Sequence, residues 1–188
     1  DDPAMTDDTI RKLSHQELKS ARPSLDQLRK AKRLPVTVVC EDIRSLYNVG
    51  SIFRTSDGAG IEKLYLCGYT GHPPRPEIDK TALGSVESVP WEYRPNQFEV
   101  IRGLRGQGSR IVALEHTGRS IPYDEARYEF PLCLVLGNEV KGITDELLSL
   151  CDMAVDIPMH GLKQSLNVTV AYGIVVYHLA GLCKKIGL

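Results

Sequence analysis

Three short segments of this 188-residue chain gather polar and turn-forming residues densely enough to do chemistry. The first, Asn48-Val-Gly-Ser-Ile-Phe-Arg54, runs into a helix. Asn48 is expected to cap that helix, Gly50 lets the backbone turn closely, and Arg54 falls about one turn further on. The second is Leu136-Gly-Asn-Glu-Val-Lys-Gly142, where a buried strand runs into Gly137, Asn138 and Glu139. That exposes backbone amides and a carboxylate at a strand end. The third runs from Ile157 through Pro158, Met159 and Ser165 to Asn167. Here a strand stops at Pro158, Ser165 is expected to cap a final helix, and Asn167 to sit inside its first turn. An Asn there is a poor helix former and calls for a polar partner. Taken singly, each segment is also an ordinary feature: a capped helix with a surface Arg, a turn, a cap followed by a neutral Asn.

Several common chemistries lack their residues. No G-x-G-x-x-G follows the first predicted strand, and no G-x-x-x-x-G-K-[ST] occurs, so nucleotide-phosphate cradles lose their support. Gly58-Ala-Gly60 follows a helix and reads as its stop. The five histidines are dispersed without H-E-x-x-H spacing, and no two cysteines form a C-x-x-C unit, so no metal site is expected.

The elements that must hold the three segments alternate in type. Residues 25–33 read as a short helix capped by Ser24 and ended by Pro35. Residues 36–40, a β-branched apolar run, read as a buried strand. A helix over 50–58, a strand over 63–67, a loop over 70–76, a helix over 97–106 and a strand over 110–114 follow. Strands over 131–136 and 153–157 flank a short helix over 143–150. The last helix, over 165–186, carries apolar residues nearly all round and is expected to be buried on several sides. Such alternation implies an α/β fold, a mostly parallel sheet with helices on both faces. The organisation expected is a basic N-terminal arm over 1–33 and a body over 34–188.

Composition bounds the rest. The chain is 42% hydrophobic and 25% charged, the balance of a globular domain. No apolar run reaches the ~20 residues of a membrane-spanning helix. The start Asp-Asp-Pro-Ala-Met lacks the order of a secretion signal and reads as a remnant before Met5. The five cysteines (Cys40, Cys67, Cys133, Cys151, Cys183) sit mostly in apolar stretches, as free thiols do, which points to the cytoplasm. The net charge of −1 conceals an asymmetry, because residues 11–33 hold eight Lys or Arg against two acids. A basic arm on a mildly acidic body points to a polyanion partner, or else to a solvated helical face.

Together, and in this order, the three segments resemble the motifs of the SpoU/TrmH class of the SPOUT RNA methyltransferase superfamily. Asn48, Gly50 and Arg54 meet an N-x-G-x-x-x-R signature. Gly137, Glu139 and Gly142 meet G-x-E-x-x-G, and Ile157, Pro158, Met159, Ser165, Leu166 and Asn167 meet I-P-M…S-L-N. The resemblance covers roughly residues 34–186. It implies a C-terminal deep trefoil knot, a homodimer, and S-adenosylmethionine as cofactor. The reaction implied is methyl transfer to a ribose 2′-hydroxyl of RNA, with tRNA favoured over rRNA.

The resemblance also distributes roles. Leu114, Glu115, Gly137, Ile157, Met159, Ser165 and Leu166 would bind the cofactor. Arg54, Asn48, Glu139, Ser165 and Asn167 would form the catalytic set. Arg54 would stand beside the 2′-hydroxyl, as base or as electrostatic anchor. The arm residues Arg29, Lys30, Lys32 and Arg33, with Arg54, would hold RNA. A non-catalytic RNA-binding protein on the same fold and an RNA base methyltransferase remain the competing expectations.

Overall fold

A computed structural model describes residues 10–188; the expected remnant before Met5 lies outside them. The chain divides into two compact units, residues 1–31 and 32–188. That break leaves Lys32 and Arg33 on the body side.

In the first unit, α1 (His15–Ser20) and α2 (Leu25–Lys30) are single short helices. Each begins on a capping box, with Ser14 and Glu17 in one, Ser24 and Gln27 in the other. The reciprocal bonds satisfy amides that a helix start leaves open. α1 escaped the sequence reading. α2 ends at Lys30, well before Pro35, which instead lies within the first strand.

The second unit holds a seven-stranded sheet. Its strands are β1 (Leu34–Glu41), β2 (Ile61–Cys67), β3 (Trp91–Arg94), β4 (Arg110–Leu114), β5 (Ile121–Pro122), β6 (Leu132–Leu136) and β7 (Met153–Asp156). Their order is β3-β2-β1-β6-β4-β7-β5, and every neighbouring pair is parallel. The helices are α3 (Leu46–Ala59), α4 (Pro76–Ala82), α5 (Gln97–Gly106), α6 (Asp145–Leu148) and α7 (Val168–Ile186).

The run of β-branched residues in β1 is explained by burial on both sheet faces. Val36, Val38 and Cys40 join one core with Ile52 and Phe53 of α3 and Val175 and Leu179 of α7. Val39 points the other way, into a core with Ile101 and Leu104 of α5 and Leu147 of α6. Burying each such side chain contributes about 1.5–3 kcal/mol. Gly50 lets α3 approach α4, since a Cβ there would collide with Thr81 Oγ1 and the Ile78 carbonyl.

Two caps are corrected. α3 starts four residues earlier than the spacing suggested, and Ser45, not Asn48, is its N-cap. α7 starts at Val168, so Asn167 rather than Ser165 is the cap; its Oδ1 accepts from the Thr169 amide at 2.8 Å and hydroxyl at 2.6 Å. α7 is also buried on one side only. Tyr172, Val175, Val176, Leu179 and Cys183 face the core, whereas Val170 and Tyr177 are half exposed. Gly60 ends α3 in the left-handed region at φ 67°, as read from the sequence. All five cysteines are free, and burial pushes the Cys67 thiol, helped by Glu41 and Asp42, up to about 12.

Candidate functional site

Chain segments leaving β1, β4, β6 and β7 meet at the C-terminal strand ends, where open parallel sheets receive ligands. Glu139, from the loop after β6, is the hub. Its carboxylate accepts from the Arg44 amide (2.8 Å), the Ser45 amide (2.9 Å) and Asn48 Nδ2 (2.8 Å). It therefore sits on the N-terminus of α3, where open amides and the helix dipole favour an anion. Burial pushes its pKa up, but the Ser45 and Arg44 amides and the Asn48 side chain outweigh this and hold it below the usual carboxylate value.

The loop carrying Glu139 is fixed by a residue that sequence reading did not single out. Asn138 is buried, donates through Nδ2 to the Asp42 carbonyl and the Tyr69 hydroxyl (both 2.8 Å), and accepts through Oδ1 from the Val140 and Lys141 amides (both 2.9 Å). Its backbone bridges to Gly142. Gly142 has φ 69°, and a Cβ there would strike the Glu115 carboxylate. Glu115 Oε2 accepts from the Ile143 amide at 3.0 Å, so it clamps the far end of the same loop. Glu41, fully buried at the end of β1, anchors the following turn through the Thr144 amide (2.9 Å) and hydroxyl (2.8 Å). The signal for these anchors was an acid or amide at the end of an apolar strand.

Beside this loop lies a cleft. Leu114, Glu115, Gly137, Ile157, Met159, Ser165 and Leu166, all proposed from sequence for the cofactor, line it together with Glu139. Val168 and Ala171 of α7 and His116 and Asp156 complete its wall. No Lys or Arg lines it, whereas Glu115, Glu139 and Asp156 do. The cleft thus suits a cationic, phosphate-free ligand with an apolar body.

The other predicted residues lie outside the lining. Asn48 is joined to the site through Glu139. Arg54 is exposed on α3 and makes no hydrogen bond or ion pair among the described residues. The two residues after it approach α7: Ser56 Oγ bonds Tyr172 Oη at 2.7 Å, and a Cβ on Gly173 would touch Thr55 Cγ2 at 3.9 Å. Asn167 is exposed as the α7 cap. Arg29 and Lys30 end α2, Arg29 paired with Asp26 at 3.4 Å, and Lys32 is exposed. Arg33 is drawn into the body, donating to the Ser88 carbonyl at 3.1 Å and the Ile61 carbonyl at 3.4 Å.

The fold and cleft define a parallel α/β domain with a cleft where the loops after β4, β6 and β7 converge. More narrowly, the chain belongs to the SpoU rRNA Methylase family, whose model matches residues 35–177. It is 34% identical over 148 residues to a tRNA (guanosine(18)-2′-O)-methyltransferase of Escherichia coli K12; the match covers 78% of this chain and 64% of that relative. In structure it resembles the A. aeolicus TrmH/SpoU tRNA modifying enzyme, with a TM-score of 0.78, 31% identity and coverage of 87% of this chain and 84% of that one. It also resembles an AdoMet-bound rRNA methyltransferase from Sinorhizobium meliloti, with a TM-score of 0.75, 31% identity and coverage of 82% and 60%.

Proposed function

We propose that this chain is an S-adenosylmethionine-dependent RNA 2′-O-ribose methyltransferase, acting on tRNA in preference to rRNA. The observation that carries the reading is a cleft lined by three carboxylates and by no Lys or Arg, set beside an Asn48–Glu139 pair on a helix N-terminus. The named relatives support it, since the E. coli protein methylates a tRNA ribose.

The residues present fit this cofactor. Leu114, Ile157 and Leu166 give apolar walls, and the backbone at Gly137 can offer polar edges to an adenine. Glu115, Glu139 and Asp156 suit its positive charges. When bound, S-adenosylmethionine supplies an electrophilic methyl carbon on a charged sulfur. The chain's own work is to place and activate the hydroxyl. Glu139 holds Asn48 by its Nδ2, leaving Oδ1 to accept from a ribose hydroxyl. Arg54, a guanidinium without a partner among the described residues, would hold the adjacent phosphate and favour the alkoxide as the hydroxyl proton passes to solvent water; the C–S bond breaks as the O–CH3 bond forms, leaving a neutral thioether. Ser165 lines the cleft, and Asn167 stands in the chain between its lining residues Leu166 and Val168. Positioning of this kind can supply about 7–11 kcal/mol at the best effective molarities.

The finer architecture belongs to the same proposal. Segments after β4, β6 and β7 wrap one cleft while β6 lies between β1 and β4. This arrangement supports a chain threaded into a deep trefoil knot. The half-exposed apolar strip of α7 supports a homodimer built on that face. The arm residues Arg29, Lys30 and Lys32 supply phosphate contacts. The reading is tested by incubating the protein with tritiated S-adenosylmethionine and unmodified tRNA. Label should enter the RNA; cofactor binding with no transfer to tRNA or rRNA would favour the non-catalytic alternative.

A further inference from the structure

Tyr69 is an aromatic residue whose placement the cofactor cleft does not use. It stands 61% exposed in the loop after β2, outside the cleft lining. An exposed tyrosine is ordinarily free to turn, yet this one is held at both ends. Its amide donates to Asp42 Oδ1 at 2.9 Å, and its hydroxyl accepts from Asn138 Nδ2 at 2.8 Å. The turn that presents it is demanding. Gly68 has φ 64° and a Cβ there would collide with the Asp42 carboxylate, while Asp42 itself has φ 54°. Asn138, which grips the hydroxyl, is the residue that fixes the loop of Glu139. The ring is therefore tied to the same scaffold as the Asn48–Glu139 pair while the residue stays largely exposed. Val140, 79% exposed, projects from that scaffold, and Arg44 is exposed beside Glu139.

A rigid exposed ring beside a cation matches the chemistry of unpaired RNA. Bases stack on aromatic faces with little sequence preference, and guanidinium groups take the neighbouring phosphate. We propose that Tyr69 is a stacking platform for an unpaired nucleobase next to the nucleotide being methylated, with Arg44 holding the phosphate beside it. This rests on the reading of the chain as an RNA ribose methyltransferase. Stacking sets RNA affinity and register, not cofactor binding.

The test uses the full chain with fluorescein-labelled unmodified tRNA and, separately, rRNA fragments, at one fixed salt concentration. Anisotropy gives RNA affinity, calorimetry gives S-adenosylmethionine affinity, and the variants are Tyr69→Ala, Tyr69→Phe and Tyr69→Trp. Tyr69→Ala should weaken the preferred RNA about tenfold, in the range of one lost stack, with cofactor affinity unchanged. Tyr69→Trp should retain most binding, and Tyr69→Phe should fall much less than Tyr69→Ala. RNA substituted with 5-iodouridine should cross-link to the Tyr69 peptide on irradiation. Equal RNA affinity for Tyr69→Ala and wild type would overturn the platform and leave methyl transfer by the wild type standing. Loss as large in Tyr69→Phe as in Tyr69→Ala, with cofactor affinity falling too, would assign Tyr69 a purely structural bond to Asn138. A wild type that binds RNA, loses affinity on Tyr69→Ala and transfers no methyl would keep the platform and overturn the enzyme reading.

Discussion

At the scale of single residues, the account turns on which groups are committed to structure and which are left to meet substrate. Glu139 is wholly committed, with two backbone amides and one side-chain amide on its oxygens. Glu139→Gln puts an NH2 against one of these donors. Methyl transfer should fall at least tenfold, through kcat more than through the KM for S-adenosylmethionine. An unchanged kcat would remove Glu139 from the account. Its pKa lies below the usual carboxylate value, so the anion and its three bonds are intact above the ordinary range near 4. Stability from this group is then lost only as pH falls through the lower folded value. An acid titration should show Glu139→Gln losing less stability than wild type below pH ~4. Arg54 is the opposite case, a cation without a partner among the described residues. Its guanidinium fork is the feature proposed to matter, so Arg54→Lys should fail nearly as badly as Arg54→Ala; near-normal turnover by the lysine variant would refute the geometric role.

At the scale of elements, the loop from Gly137 to Gly142 is closely held by Asn138 at one end and Glu115 at the other. Gly142→Ala must strain a positive φ and push on the Glu115 carboxylate. It should cost about 1–3 kcal/mol in denaturant unfolding and weaken cofactor binding as well. Wild-type stability in this variant would show that the clamp is not needed. Elements with strong local patterns were legible from sequence: α5 and β4 lie where predicted, and the continuous apolar run of β1 reads as a strand buried on both faces. The ends were less legible, because caps are decided by one hydrogen bond. Ser45 and Asn167 won the caps that spacing assigned to Asn48 and Ser165, and this freed Asn48 to meet Glu139. Short elements such as α1, β3 and β5 have too few residues to show a period. The residues proposed for the cofactor were named through motif resemblance and line the cleft, whereas the role of Asn138 was not legible, since its Nδ2 bonds go to Asp42 and Tyr69, both distant in sequence.

At the scale of the whole molecule, the arm is proposed to hold RNA and the body to bind the cofactor. Removing residues 1–31 should weaken tRNA binding and flatten its salt dependence, because phosphate contacts release counterions, while cofactor affinity stays unchanged by calorimetry. Loss of both would contradict the division. The apolar strip of α7 gives a second expectation. Tyr177→Arg should shift sedimentation from a dimer to a monomer, and a wild type that sediments as a monomer would contradict the proposed interface. The central claim is that the oxygen of a ribose, not an atom of a base, receives the methyl group. It is tested most directly by digesting RNA labelled by this protein to nucleosides and identifying the methylated product by mass. The account predicts methyl on the sugar fragment and a phosphodiester resistant to alkali at that site; methyl on the base fragment, with alkaline cleavage intact, would contradict it.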